Sequence, residues 1–484
     1  MEQGLKRRYL CWDGELIEKS ENVTVNRHKP ERRELALLCD GAWEGVHNCY
    51  GGIVRVGDTY RLYYRACHGK VCFDLPSGRE PAVSVICVAE SRDGIRFTKP
   101  SLGIYEYGGS KENNIVFMRE DKLDNFSVFY DENPACPKDE RFKALAKYYG
   151  ERPQLQYYAS EDGYHFRFVR FIDIKGTFDT YNVTFWDKKT AQYFLYYRNF
   201  HRPDGTPTLY EAKNELVNIR DVSVATSKDF LSWQDHGRIR FEKGQADIQL
   251  YTNQIGRYAR EENTLIGFPV RYRYRVDGES SFCEMPMWER RSRVIERFGR
   301  EGAALTDCTV MTSHDGFLFD RREEAFLTPG VEDAANWQYG DCYTVYGLVE
   351  TTSDRVGAPD ELSLYVGENY RIDNVNFRRY TVRLDGFFSW YADARGGEVL
   401  TRPLTVAGER LGLNFATSAI SDLQVSICDL QGNPIEGYES AALFGNSTDR
   451  TVRFEKPLAA LVGREVRLRF RLCDCDLYSF AFFE

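Results

Sequence analysis

Ser91-Arg-Asp93-Gly94-Ile-Arg-Phe97, Ser160-Glu-Asp162-Gly163-Tyr-His-Phe166, Ser227-Lys-Asp229-Phe-Leu-Ser-Trp233 and Ser313-His-Asp315-Gly316-Phe-Leu-Phe319 are four copies of one segment. Leu384-Asp385-Gly386-Phe-Phe-Ser-Trp390 is a degenerate fifth. Asp-Gly makes a tight turn, and the aromatic four or five residues beyond the Asp is placed to plug a neighbouring sheet. The segment returns roughly every 70 residues, the length of a several-stranded unit in a propeller.

The runs between the copies alternate as strands do. The first unit reads Gly52-Ile-Val-Arg-Val56, a Gly57-Asp58 turn, Tyr60-Arg-Leu-Tyr-Tyr-Arg65 and Ser84-Val-Ile-Cys-Val-Ala-Glu90. The third repeats that plan with Asn182-Val-Thr-Phe-Trp186, Tyr193-Phe-Leu-Tyr-Tyr-Arg198 and Asp221-Val-Ser-Val-Ala225. Only the charged run near 287–301 has a helical period. Beyond Trp390, Leu411-Gly-Leu-Asn-Phe415, Leu423-Gln-Val-Ser-Ile-Cys428 and Val466-Arg-Leu-Arg-Phe-Arg-Leu472 alternate strictly, as in a β-sandwich. The expected fold is all-β: a five-bladed β-propeller over 36–392, followed by a C-terminal β-sandwich over 393–484. Residues 1–35 are expected to pack on the sandwich or complete it.

Composition agrees and narrows the function. Aromatic residues are 14% of the 484, and such side chains suit half-buried pleated surfaces. A count of 64 basic against 73 acidic residues, net −9, argues against a nucleic-acid partner. No apolar run is long enough to cross a bilayer as a helix, so no membrane partner is expected. The 13 cysteines contain no CxxC pair, so no metal and no cofactor are expected. Scattered thiols, with no signal-peptide core behind Met1, point to a cytoplasmic location.

Chemistry in a propeller belongs at the mouth of its axial channel. Just before the innermost strands stand Asp40-Gly-Ala-Trp43-Glu44, Phe178-Asp179-Thr-Tyr-Asn182, Asp247-Ile-Gln-Leu-Tyr251-Thr-Asn253 and Asn336-Trp337-Gln-Tyr-Gly-Asp341, with a weaker Asp124-Asn125 in the second unit. The second strands end on Arg65, Lys147, Arg198, Arg271 and Glu368. Glycoside cleavage needs one carboxyl to protonate the leaving oxygen and a second to attack carbon or activate water. Crowded acids and cations drive their proton affinities apart. Tyr and Trp offer platforms for a sugar ring, and Asn reads hydroxyls. The repeat aspartates read as turn-formers, and His47 and His68 as hydrogen-bonded bystanders. No Gly-x-Ser-x-Gly, P-loop or dinucleotide fingerprint is present, which excludes the commonest serine hydrolase, kinase and dehydrogenase signatures.

Trp43-Glu44-Gly45, Ala89-Glu90-Ser91, Phe178-Asp179-Thr180, Leu250-Tyr-Thr-Asn253, Gly267-Phe-Pro, Gly347-Leu-Val-Glu-Thr351 and Arg379-Tyr-Thr-Val-Arg-Leu-Asp-Gly386 resemble segments of five-bladed propeller glycosidases related to glycoside hydrolase families 32 and 43. More narrowly, they are similar to a bacterial family-32-like subgroup with an appended sandwich. The resemblance implies cleavage of O-glycosyl bonds of the β-fructofuranosidase or arabinofuranosidase kind. It implies a nucleophile or base in blade one (Glu44 or Asp40), a transition-state stabiliser at Asp179 and a general acid in blade four (Asp247). The Trp-Met-Asn-Asp-Pro and Arg-Asp-Pro signatures of family 32 are absent, and blade four offers Asp where that family has Glu, which brings Glu368 forward as the acid.

The expected function is therefore hydrolysis of a small oligosaccharide or glycoside, a furanoside among the candidates. Glu44, Asp179, Asp247 and Glu368 are the expected catalytic residues. Asp40, Trp43, Arg65, Arg198, Tyr251, Asn253, Arg271, Trp337 and Asp341 are the expected substrate contacts. The basic ring favours a sugar or aglycone with a negative group. The alternatives are a non-catalytic sugar-binding propeller and a glycoside phosphorylase that holds phosphate on the arginines. The oligomeric state is open.

Overall fold

The computed structural model describes residues 3–68, 83–119, 123, 125–208, 218–275 and 279–484; Asp124 and the His68 side chain lie outside the described set. The chain is almost entirely β. The described helices are short, and Trp288–Phe298, within the one run of helical period, is the longest of them.

Five sheets follow one another along the chain, each with antiparallel strands at its core. The first holds Gly51–Val56, Thr59–His68, Val83–Ser91 and Ile115–Met118. The second holds Ser127–Tyr130, Phe142–Tyr149, Pro153–Ser160 and Arg167–Ile172. The third holds Val183–Asp187, Gln192–His201, Ile219–Ser227 and Gln234–Arg238. The fourth is built on Gly256–Arg257, Leu265–Gly267, Met311–Ser313 and Leu318–Arg321. The fifth begins with Tyr343–Thr344 and Val349–Thr351, continues through Glu361–Glu368 and Asn376–Arg383, and takes its last strand, Glu31–Leu38, from the other end of the chain.

The repeated segment ties each sheet to the one before it. In the second sheet the Ser160 hydroxyl and the Asp162 carboxylate cap the turn amides, and the Gly163 carbonyl accepts from Tyr63 of the first sheet at 3.0 Å. Gly163 has φ +80°, and a Cβ there would meet the Tyr63 hydroxyl at 2.6 Å, so only glycine suits both the turn and the contact. Gly316 of the fourth sheet is held likewise by Tyr196 of the third at 2.9 Å, and Gly94 of the first by Tyr365 of the fifth. In the third sheet Phe230 replaces the glycine, keeps φ +65° and packs on Tyr157 of the second. The degenerate Asp385 accepts from Tyr258, beside the fourth sheet, at 2.6 Å. The order of docking is thus cyclic. The first strands complete it: Ile53 N donates to the Tyr346 carbonyl at 2.8 Å, and Gln254 Nε2 reaches the Thr344 carbonyl at 2.7 Å.

The fourth sheet departs from the simple plan. Phe268-Pro269 interrupts its second strand, because proline has no N–H for the ladder. Val270–Tyr274 then forms a separate hairpin with Ala304–Cys308, and that hairpin carries the Trp288–Phe298 helix.

Two further sheets face each other at the C-terminal end. One contains Leu5–Leu10, Thr24–Arg27, Phe388–Ala392, Arg410–Thr417, Asn446–Thr451 and Cys475–Phe483. The other contains Ile17–Glu21, Gly397–Thr401, Leu423–Cys428, Pro434–Glu439 and Glu465–Leu472. Trp390, Leu413, Phe415, Val425, Ile427, Leu468, Phe470 and Phe480 fill the space between them. Each such side chain stabilises the pair by about 1.5–3 kcal/mol on burial. Asp385 locks this body to the cycle of sheets. Its carboxylate, wholly buried, meets Arg260 at 2.8 Å, Arg8 at 3.4 Å and Ser479 at 2.7 Å, and Trp12 donates to its carbonyl at 2.8 Å. Burial opposes its charge, but the two arginines outweigh that and hold the carboxyl at about 2.

Candidate active site

Asp179 stands on an unusual piece of backbone. Its neighbours Phe178 and Thr180 have φ +51° and +77°. Both are buried, and a β-branched residue in that region is strained by roughly 1–3 kcal/mol. The surroundings enforce the shape. Asn182 Nδ2 donates to the carbonyls of Phe178 and Thr180 at 3.1 and 3.2 Å, and Asn125 Nδ2 to Phe178 at 3.2 Å. Thr177 and Phe178 donate to the Arg198 carbonyl. The result pushes the Asp179 carboxylate out to 40% exposure, with Lys147 Nζ 3.8 Å from one oxygen and Arg198 Nη1 3.9 Å from the other. Those gaps exceed hydrogen-bonding distance, so neither cation is hydrogen-bonded to the part-exposed carboxylate.

Arg198 lies over the ring of Tyr251 at 4.7 Å, and Tyr251 opens onto a floor of tyrosines. Tyr343 is its centre, with Tyr50, Tyr251, Tyr339 and Tyr370 at 5.8 to 6.5 Å between ring centroids. The Tyr251 and Tyr339 hydroxyls bond each other at 2.6 Å. Arg65 sits over Tyr50 at 5.1 Å and Arg371 over Tyr339 at 5.0 Å. Arg65 Nη2 donates to His47 Nδ1 at 2.5 Å, so that nitrogen is unprotonated, and Nε2 faces the Tyr370 hydroxyl at 2.6 Å as the N–H side. His47 is therefore a linker between the first and fifth sheets.

Asp341 interrupts this floor between Tyr339 and Tyr343. It lies on a bend where Trp337, Gly340 and Cys342 all have positive φ. Burial pushes its carboxyl up to about 7, against the Gln338 amide that donates to it at 2.9 Å. A carboxyl in that range holds a proton at neutral pH and can give it up.

Asp247 is the third candidate acid. It accepts from His201 Nε2 at 2.9 Å and Arg238 Nη2 at 2.7 Å. Burial works against its charge, yet His201 and Arg238 outweigh that and keep the carboxyl below its usual range. Behind it, His201 Nδ1 is 3.5 Å from Asp221, whose carboxyl burial pushes up. The ligand atoms of His201, Asp221 and Asp247 lie within 4.8 Å of one another, a spacing that suits a cation if Arg238 swings away. Asp13, Glu15 and His314 form a second such group at the surface.

Other expected residues stand elsewhere. Glu44 is fully buried: Tyr64 donates to one oxygen, Gly41 N at 2.6 Å and Lys99 Nζ at 2.5 Å to the other. Lys99 also binds Asp40 at 2.6 Å, and Trp43 Nε1 is spent on Asn114 at 2.9 Å. Glu368 accepts two bonds from Arg32 at 2.9 Å, one from Arg378 at 2.7 Å and one from Tyr380 at 3.2 Å. Burial opposes its charge, but these arginines prevail and lower its pKa, the wrong direction for a proton donor. Arg271 forks onto Asp307, its partner across the hairpin, at 2.6 Å. Asn253 caps the Ile255 amide at 3.2 Å, and the half-buried Trp337 donates to the Gly330 carbonyl at 2.8 Å.

The position expected of Arg271 belongs to Arg220, which faces Phe200 across the strands and lies over Tyr272 at 4.2 Å. His201, Asp221, Tyr50, Tyr343 and Tyr370 were equally invisible in sequence, since no motif separates them from the 31 tyrosines and scattered polar residues of the chain. The one local hint is the polar run Asn218-Ile-Arg-Asp221 at the start of a strand.

No family model matches the chain, and no curated protein matches it. Among solved structures it is similar to a chain described as a glycoside hydrolase, at 10% identity and TM-score 0.44, over 73% of this chain and 92% of that one. It is also similar to a GH32 beta-fructofuranosidase of Bombyx mori, at 9% identity and TM-score 0.39, over 95% and 93%. A third match is a structure reported for the GH130 family of mannoside phosphorylases, which contains glycoside hydrolases, at 13% identity and TM-score 0.40, over 73% and 94%. These are likenesses of strand layout and transfer no residue role.

Proposed function

We propose that the cycle of five sheets is a five-bladed β-propeller, that the two facing sheets are a β-sandwich completed by the N-terminal strands, and that the mouth around Asp179 hydrolyses a glycosidic bond. The strained, outward presentation of Asp179 carries this reading. Strain of that kind persists where surrounding structure over-determines it, and it gathers at functional sites. Asp179 is the carboxylate that receives the sugar carbon or its attacking water. Asp341 is the acid that protonates the leaving oxygen, because burial brings its pKa near neutrality and, among the described residues, no cation beside it is as close as those on Asp247 and Glu368. Asp247, kept ionised by His201 and Arg238, holds a sugar hydroxyl or stabilises positive charge developing at the anomeric carbon. The tyrosine floor offers the apolar face that a sugar ring stacks on.

Chromogenic glycosides, furanosides included, test the proposal. Asp179→Asn keeps shape and volume and should lower turnover on any accepted substrate by about 10²–10⁴, with the melting temperature held. A variant as active as the parent removes Asp179 from the mechanism.

A further inference from the structure

Arg198 and Arg220 share their surroundings. Both guanidiniums lie over Phe200, at 5.5 and 5.7 Å, and over Tyr251, at 4.7 and 5.6 Å. Both are 3% exposed. Several other buried arginines are matched with carboxylates: Arg379 with Glu34 at 2.6 Å, Arg8 with Asp385 at 3.4 Å, and Arg371 with Glu301. Arg198 has no such match. Its Nη1 is buried without a hydrogen-bond partner, and Asp179 stays 3.9 Å away. The hydroxyl of Tyr343, at the centre of the same floor, is also buried without a partner. A guanidinium taken out of water needs a hydrogen-bonding anion, and a buried donor left without a partner is destabilising.

We infer that the sugar bound here is acidic, a uronic acid, and that Arg198 and Arg220 clamp its carboxylate over Tyr251. This rests on the glycosidase reading of the same mouth. The fork of an arginine matches the two oxygens of a carboxylate. Burial, together with the charge of Arg220, holds the Arg198 pKa below its usual value, as expected of a cation whose partner is the ligand.

Matched 4-nitrophenyl glycosides test it: glucuronide against glucoside and galacturonide against galactoside, in both anomers, with turnover and calorimetric binding measured side by side. The acidic member of at least one pair should bind about tenfold or more tightly than its neutral twin. That preference should shrink as salt rises, and it should fall towards one in Arg220→Gln while Arg220→Lys keeps part of it. Acid-selective binding without turnover supports the clamp while counting against hydrolysis, so the two claims fail separately. Equal binding of acid and neutral twins, a preference unmoved by salt and by both variants, or turnover of neutral sugars only when inorganic phosphate is added, overturns the clamp.

Discussion

Asp341 sets function against stability, and its replacement by Asn should separate them. The carboxyl sits at about 7 in the folded protein against an ordinary 3.8. A raised carboxyl pKa means that the folded state holds the proton more tightly than the unfolded chain. Its contribution is therefore fully favourable below pH 3.8 and is lost as the pH rises through 7, where the buried group ionises at the expense of folding. The difference of roughly three pK units corresponds to about 4 kcal/mol of destabilisation at pH 8. Asn carries no charge and its amide oxygen accepts the Gln338 N–H as the carboxylate does, so Asp341→Asn should lift that penalty. Melting curves of parent and variant should converge near pH 4, separate steadily up to pH 7 and run parallel above it. The variant should be higher by about 8–16 °C at the plateau, at roughly 2–4 °C per kcal/mol. Turnover should meanwhile drop by about 10²–10⁴, with loss of the alkaline limb of the rate profile near pH 7. A variant that melts lower than the parent at pH 8 would falsify the buried-acid assignment, and one that keeps full activity would remove Asp341 as the donor.

Other perturbations have equally definite signs. Asp385→Ala leaves Arg8 and Arg260 buried without their anion, and should cost about 3–5 kcal/mol; a denaturation midpoint within error of the parent would show the lock between the two bodies to be idle. His314 is raised to about 9 by its hydrogen bond to Asp13. Its stabilising contribution is therefore complete below about pH 6.5 and disappears as pH rises through 9, and His314→Gln should flatten the melting temperature over that window. Gly163→Ala puts a Cβ 2.6 Å from the Tyr63 hydroxyl at φ +80°, and should destabilise by about 1–3 kcal/mol; an unchanged midpoint would mean that the turn is not what joins the first two sheets.

Much of the scaffold was legible because it is local. The Ser-x-Asp-Gly turns announce themselves by residue type: only a short hydroxyl and a short carboxylate cap the turn amides, and glycine, or Phe230 under strain, takes the positive φ. Strict alternation in 466–472 marked a sheet with one buried face for the same reason, since side chains along a strand point to opposite sides. Asp179, Arg65, Arg198 and Tyr251 were selected by their place relative to those strands, and the structure sets Arg198 beside Asp179 and over Tyr251.

The site itself was decided by tertiary structure. Glu44 and Asp179 hold comparable places before a first strand, yet Lys99 and Tyr64 close over one while Phe178 and Thr180 turn the other outward. Arg271 pairs with Asp307, and Arg220 from another sheet lies over Tyr272 beside it. Sequence determines which groups can carry charge and where the backbone can turn. Which carboxyl keeps its proton depends on burial and on the cations around it. Those neighbours come from segments hundreds of residues apart, and only the folded chain brings them into contact.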